Sequence, residues 1–187
     1  MENNHVPMED ASQVLSFWFE ELTEEDWFGA DPNVDAMIAS QFGGLHKAAS
    51  RCELWPWRAT AHGRLAEIIL LDQFSRNIYR NKPAAFKQDA AALCLAQEAV
   101  SVNADASLTP TEKAFLYMPF MHSESAAVHD VAMQLFAVPG LETQLEFERR
   151  HRDIILRFGR YPHRNEIIGR ASTDEELQFL ATSESSF

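Results

Sequence analysis

Leu65-Ala66-Glu67-Ile68-Ile69-Leu70-Leu71-Asp72-Gln73-Phe74-Ser75-Arg76-Asn77-Ile78-Tyr79-Arg80 is the stretch whose reading decides the fold of this 187-residue chain. At about 100° per residue, Leu65, Ile68, Ile69, Asp72 and Arg76 share one helical face, while Leu70, Leu71 and Phe74 cover the other sides. A helix that is apolar all round belongs in the middle of a protein. This one still carries Asp72 and Arg76 four residues apart with the acid first, the favourable order. The pattern predicts a central helix over about residues 60–75, with a charged end that is either a structural lock or the floor of a site.

The segments on either side read as further helices. Asp10 with Gln13 has the form of a capping box, followed by Val14, Leu15, Trp18, Phe19 and Leu22 at helical spacing. Trp27 and Phe28 are expected to pack back on a turn. Asp31-Pro32 starts a helix through Val34, Ile38, Phe42, Leu45 and Ala49, which Gly43-Gly44 weakens. Trp55-Pro56-Trp57 interrupts before the central helix. Residues 84–102 are alanine-rich, with Phe86, Ala90, Leu93, Cys94, Gln97 and Val100 expected on the packed face. Thr109-Pro110 opens a helix that Pro119 is expected to break. Helices over about 123–137 and 141–158 follow, the second closed by Gly159 in a left-handed C-cap, and Thr173 with Glu176 caps a short last helix. No stretch alternates like a strand. The expectation is an all-α fold of seven to nine helices packed as antiparallel pairs, forming a single domain over 1–187 with flexible ends at 1–9 and 183–187.

The net charge of −12 is unevenly distributed. Residues 1–31 hold nine acids and no Lys or Arg, and residues 171–187 hold four acids and again no base, so the middle of the chain is close to neutral. Within that middle, Arg149, Arg150, Arg152, Arg157, Arg160, Arg164 and Arg170 face only Glu148, Asp153 and Glu166. Such an arrangement suits pairing with the acidic ends or an anion-binding patch. The overall acidity argues against nucleic acid. No apolar run approaches the length needed to cross a bilayer, the N-terminus has no secretory pattern, and Cys52 and Cys94 have no motif spacing. A cytoplasmic protein with reduced thiols and no membrane partner is expected.

Four segments together resemble a known family. They are Leu70 to Arg80; Pro119-Phe120-Met121-His122-Ser123-Glu124; His151 to Asn165, which contains Arg157-Phe158-Gly159-Arg160-Tyr161-Pro162-His163-Arg164-Asn165; and Ile168 to Glu176. The chain is similar to the bacterial family catalogued as domain of unknown function 924. The resemblance implies an all-helical fold within the tetratricopeptide-repeat-like superfamily, an α-α superhelix, and carries no established activity. The chain departs from the family's pattern at Ser75, where many relatives have proline, and at His129, where glutamine is expected.

Three constellations are candidates for function. Asp72, Arg76 and Asn77 end the central helix, where Arg76 presents a fork suited to carboxylate or phosphate. His122, Ser123 and Glu124 follow Pro119, with residues two apart that do not share a helix face. His151, Asp153, Arg157, Arg160, His163, Arg164 and Asn165 form the densest polar cluster, suited to an anion near a turn. Trp18, Trp27, Phe28, Trp55 and Trp57 read as core and loop packing, with ligand stacking on Trp55-Pro56-Trp57 as the alternative. HExxH, CxxC and EF-hand spacings are missing, as are a GxSxG elbow, a Walker loop and a dinucleotide fingerprint, so neither a metal nor a cofactor is expected. The first expectation is a non-enzymatic binding module whose groove, lined by Asp72, Arg76, His122, Glu124 and the arginine cluster, takes a protein, a peptide or a small anion. The alternative is a hydrolase using His122 or His163 with Glu124 or Asp153 as acid and base.

Overall fold

Helix α4 (Ala61–Ile78) is surrounded on all sides, packing against α1 (Met8–Ser16), α3 (Pro32–Ala49), α5 (Asp89–Ser101) and α6 (Pro110–Met121). The computed structural model describes residues 8–182; of the loose ends expected at 1–9 and 183–187, all but Met8 and Glu9 lie outside them. The remaining α-helices are α2 (Glu24–Phe28), α7 (Ala126–Leu135), α8 (Glu142–Phe158), α9 (Asn165–Ile168) and α10 (Asp174–Leu180), and the described residues contain no strand. Consecutive helices pack in sequence from α3 to α8. Among the described residues, no helix is long and apolar enough to cross a membrane.

The capping chemistry explains most helix starts. Asp31 accepts from the Asn33 N–H at 2.7 Å, with Pro32 at the first helical position. Thr109 with Glu112 and Thr173 with Glu176 form reciprocal capping boxes. Gly159 ends α8 at φ +68° and donates to the Ile155 carbonyl. Thr60 caps α4 by accepting from the Gly63 N–H at 3.0 Å.

Several expectations require correction. Met8 and Glu9 are already helical, so Asp10 lies inside α1 instead of capping it. After Ser16 the chain widens into a π-turn at Phe17–Glu21, and the extra residue in that turn sends both Phe17 and Trp18 into the core. The buried face of α5 is Ala92, Ala96 and Ala99, while Ala90, Cys94 and Gln97 are exposed. With alanine on every side of that helix, its phase is set by how closely α4 and α6 approach and not by side-chain size. Pro119 does not break α6, which continues to Met121. Placed in the last turn, it removes only one backbone donor, and the burial of Met118 to Met121 outweighs that loss. The Gly43-Gly44 pair likewise leaves α3 continuous.

Two apolar clusters form. The main one gathers α1, α3, α4, α5 and α6 around Trp18, Trp57, Phe74 and Phe115, and a smaller one joins Ile154, Ile155, Tyr161 and Phe179. Trp57 is fully buried and Trp55 is exposed. Cys52 and Cys94 are exposed free thiols.

Gly63 lets α4 lie against the turn Trp55–Ala59, since a Cβ there would approach the Trp57 carbonyl oxygen to 2.0 Å. Gly63→Ala is expected to cost roughly 1–3 kcal/mol by overpacking, read as a lower urea midpoint. An unchanged midpoint would mean that the helix start can shift away from the turn.

Candidate functional site

The polar end of α4 meets residues from α5, α6 and the turn after α8. Asp72 has no solvent exposure, and its two oxygens are fully engaged. Oδ1 lies 2.7 Å from His122 Nδ1 and 3.1 Å from Arg76 Nη1, and Oδ2 accepts from Gln73 Nε2 at 2.6 Å. Arg76 Nη1 also donates to the Asp72 carbonyl at 2.7 Å. Its guanidinium then meets Asp89 end-on, Nη1 to Oδ1 at 3.1 Å and Nη2 to Oδ2 at 3.2 Å. Arg164 reaches the same carboxylate at 3.1 Å and the His122 carbonyl at 3.0 Å, with its guanidinium 4.7 Å from the ring centres of both Phe86 and Tyr161. Asp89 thus joins two arginines that lie 88 positions apart in the chain.

A second network holds the turn between α8 and α10. Glu124 accepts two bonds from Arg170, at 2.6 and 2.8 Å, and one from the Tyr161 N–H at 2.8 Å. Arg170 also bonds the Asn165 side chain, whose amide donates to Ser172. Arg160 grips Glu176 through two bonds, and Arg157 pairs with Glu175. Beneath this turn, the fully buried side chains of His129 and Glu148 lie 2.6 Å apart, and His129 is 2.9 Å from the Ser123 carbonyl. The carbonyl only accepts, so His129 Nε2 carries a proton. The C-terminal acids therefore pair with Arg157 and Arg160 as the charge pattern suggested, whereas Arg76 and Arg164 draw on Asp89 in the middle of the chain.

Between these networks lies a cavity of about 540 Å³. Arg76, His122, His151, His163 and Arg164 contribute polar groups to its lining, and Trp27, Phe28, Phe86 and Phe147 contribute aromatic faces. Phe28 and Phe147 are exposed, 58% and 43%, at its mouth. The Arg76 guanidinium keeps its side edge, Nε–H and the second Nη2–H, without a protein partner among the described residues.

Burial sets the electrostatics. It opposes ionisation of Asp72, but the charge of Arg76 and the bonds from His122 and Gln73 prevail and hold the carboxyl well below the usual range. Burial and then Arg76 hold His122 below the ordinary histidine value, against the pull of Asp72 and Asp89. Burial lowers His151 to about 3, and burial with Arg164 and Arg76 lowers His163 to about 4. The cavity is therefore lined by neutral imidazoles beside the guanidinium groups of Arg76, Arg80 and Arg164.

Of the residues singled out from sequence, Arg76, Asn77, His122, His151, His163 and Arg164 line the cavity, and Asp72 lies directly beneath. Asn77 also donates to Asp35, which Arg80 holds. Glu124, Arg160 and Asn165 do not line it; they brace the turn. Asp153 is exposed, and Arg157 and Arg149 pair with Glu175 and Glu146 instead of with it. His122 pairs with Asp72 and not with Glu124 or Asp153, the carboxylates of the hydrolase alternative, and neither Trp55 nor Trp57 reaches the cavity. Asp89 was missed because a lone acid at a helix start reads as a helix-end charge. Among the described residues, no group of three or more His, Cys, Asp or Glu side chains is arranged to hold a metal ion.

The profile of a family described as bacterial protein of unknown function, DUF924, matches residues 14–184. No curated protein matches the chain. A solved structure of a protein of unknown function from Agrobacterium tumefaciens, ATU0120, is similar at 36% identity with a TM-score of 0.88, covering 92% of this chain and 97% of that one.

The depressed histidines fix a pH dependence. His46, His122, His151 and His163 are all held neutral by the fold, so the unfolded chain binds more protons below about pH 6.5. Their contribution is complete above that value and is lost as pH falls toward 4; Glu148, raised by burial, pulls the other way. The urea midpoint is expected to fall between pH 7.5 and 5, each neutral histidine adding a slope approaching about 1.4 kcal/mol per pH unit. His163→Gln flattens the curve, whereas a flat wild-type profile would show these rings charged in the folded protein.

Proposed function

The chain belongs to this bacterial family of unknown function, and we propose that it is a binding module whose cavity receives a small molecule with an anionic end and an apolar body. The observation that carries this reading is the open side edge of Arg76. Asp89 and Asp72 occupy the end of the guanidinium, and the remaining Nε–H and Nη2–H form the fork that a carboxylate or phosphate accepts in a bidentate manner. Arg164 adds a second positive charge on the same floor. Aromatic side chains at the mouth suit the apolar part of such a ligand.

The cavity volume of about 540 Å³ falls in the range of small-molecule sites, which favours a compact anion over an extended peptide. The helix order supports the tetratricopeptide-like placement. Besides their sequence neighbours, α4 packs on α6 and α6 on α8, as an inner layer of stacked helix pairs would. Arg76, His122 and His151 reach the cavity from the ends or faces of these three helices. We place the binding surface on that layer, within one helical domain.

Truncating Arg76 is a poor probe, since it leaves Asp72 and Asp89 short of a partner in a largely buried site. Arg76→Ala is expected to destabilise the fold by about 3–5 kcal/mol. Phe147→Glu is the better variant, because it places a carboxylate at an exposed position on the cavity mouth. Succinate, benzoate and inorganic phosphate titrated by calorimetry and thermal shift are expected to yield at least one stabilising ligand. Saturation at a hundredfold excess over Kd stabilises by about 2.7 kcal/mol. Phe147→Glu then weakens that ligand at least about tenfold with unchanged stability of the free protein. Failure of all three anions to bind, or binding indifferent to Phe147→Glu, would overturn the reading.

A further inference from the structure

His122 has a chemical character that anion binding does not require. Its Nδ1 faces an ionised carboxylate at 2.7 Å, so Nδ1 carries the proton and donates it to Asp72 Oδ1. In the neutral ring the lone pair is then on Nε2, which has no protein partner among the described residues, and His122 lines the cavity. Asp72 is in turn immobilised by Gln73 and Arg76, so the imidazole is held in one tautomer by a carboxylate that is itself fixed. This is the arrangement by which an acid orients a histidine for proton transfer.

We propose that the cavity is catalytic as well, with His122 as a general base that activates water against a carboxylic ester carrying a second, anionic group. The proposal rests on the reading that Arg76 binds the anion. Arg76 and His122 meet at one oxygen of Asp72, 3.1 and 2.7 Å away, so the anion and the ester carbonyl must be separated by only a few bonds. A half-ester of a short dicarboxylic acid meets that requirement. Water is the nucleophile because, among the described residues, no serine or cysteine lines the cavity, Thr143 is exposed, and the Tyr161 hydroxyl is committed to the Met121 carbonyl.

The step balances without a further reagent. A water O–H bond breaks as its proton passes to His122 Nε2, and a C–O bond forms at the carbonyl carbon. The tetrahedral oxyanion collapses, the bond to the alcohol oxygen breaks, and the imidazolium returns its proton to that oxygen. The products are the free acid and the alcohol, with the enzyme restored. His122 is the catalytic residue and Asp72 a positioning residue. The groups around the ring are Asp72, Arg76 and Gln73 from α4, Asp89 from α5, His151 from α8, and His163 and Arg164 from the turn at Pro162–Arg164. Their combined effect keeps the base neutral, so the rate is expected to rise with pH to a plateau reached before pH 7.

The full chain is assayed with mono(4-nitrophenyl) succinate for hydrolysis and with succinate alone for binding. Release of nitrophenol above the buffer rate is expected, lost by about 100-fold or more in His122→Gln while succinate affinity changes less than about threefold. Asp72→Asn is expected to lower kcat more than it alters KM and to move the acid limb of the pH profile; where that variant does not fold, the wild-type profile carries the test. Succinate binding without hydrolysis, hydrolysis that survives His122→Gln, or a wild-type acid limb above pH 7 would overturn the catalytic proposal. Failure of succinate to bind at all would instead remove the anion-binding reading beneath it.

Discussion

A carboxylate sealed from solvent in the middle of a buried helix constrains much of this molecule. Asp72 ionised in an apolar surround is costly unless its charge and all its lone pairs are answered. The answer comes from three directions: Gln73 beside it, Arg76 one turn on, and His122 from the end of α6. The same requirement recurs along α4. Glu67 is held by two bonds from Arg58, Ser75 by His46 and the Leu71 carbonyl, and Asn77 by Asp35. Each polar group on the central helix fixes a different neighbour, so α4 sets the positions of the elements around it.

The cavity follows from the same constraint. The two apolar clusters abut across a layer of arginine, histidine and acid side chains that neither can absorb. Arg164 shows the tension: one of its nitrogens, Nε, is buried without a hydrogen-bond partner among the described residues, beside the Phe86 and Tyr161 rings. Stacking of the guanidinium on aromatic faces offsets part of its desolvation. The networks around Glu124 and His129 hold the turn that carries His163 and Arg164, keeping the roof of the cavity in place.

Parts of the site were legible from the residues. An aspartate and an arginine at i,i+4 on a helix otherwise given to the core have no bland surface role, and both are at the floor. His122, His151, His163 and Arg164 stood out as polar groups near helix ends, and all line the cavity. Asp89 carried no such mark, although it joins Arg76 and Arg164. Trp27, Phe28 and Trp55 all read as packing, with stacking an alternative at Trp55; Trp27 and Phe28 also line the cavity, and Trp55 lies exposed elsewhere. An aromatic side chain has the same periodicity in a core as at the mouth of a cavity, so spacing cannot separate the two.

Sequence alone was enough for the helical class, for the capped starts at Asp31, Thr109 and Thr173, for the stop at Gly159 and for the burial of α4. These depend on contacts within a few residues, where spacing and capping chemistry act directly. Pairing across the chain is different. Asp72 with His122, Asp89 with Arg164 and Glu124 with Arg170 are separated by 50, 75 and 46 positions. Which acid meets which base at such distances depends on how helices approach in space, and no local pattern encodes it. The alanine face of α5 and the π-turn at Phe17 belong to the same class, because each was chosen by the neighbour it had to fit.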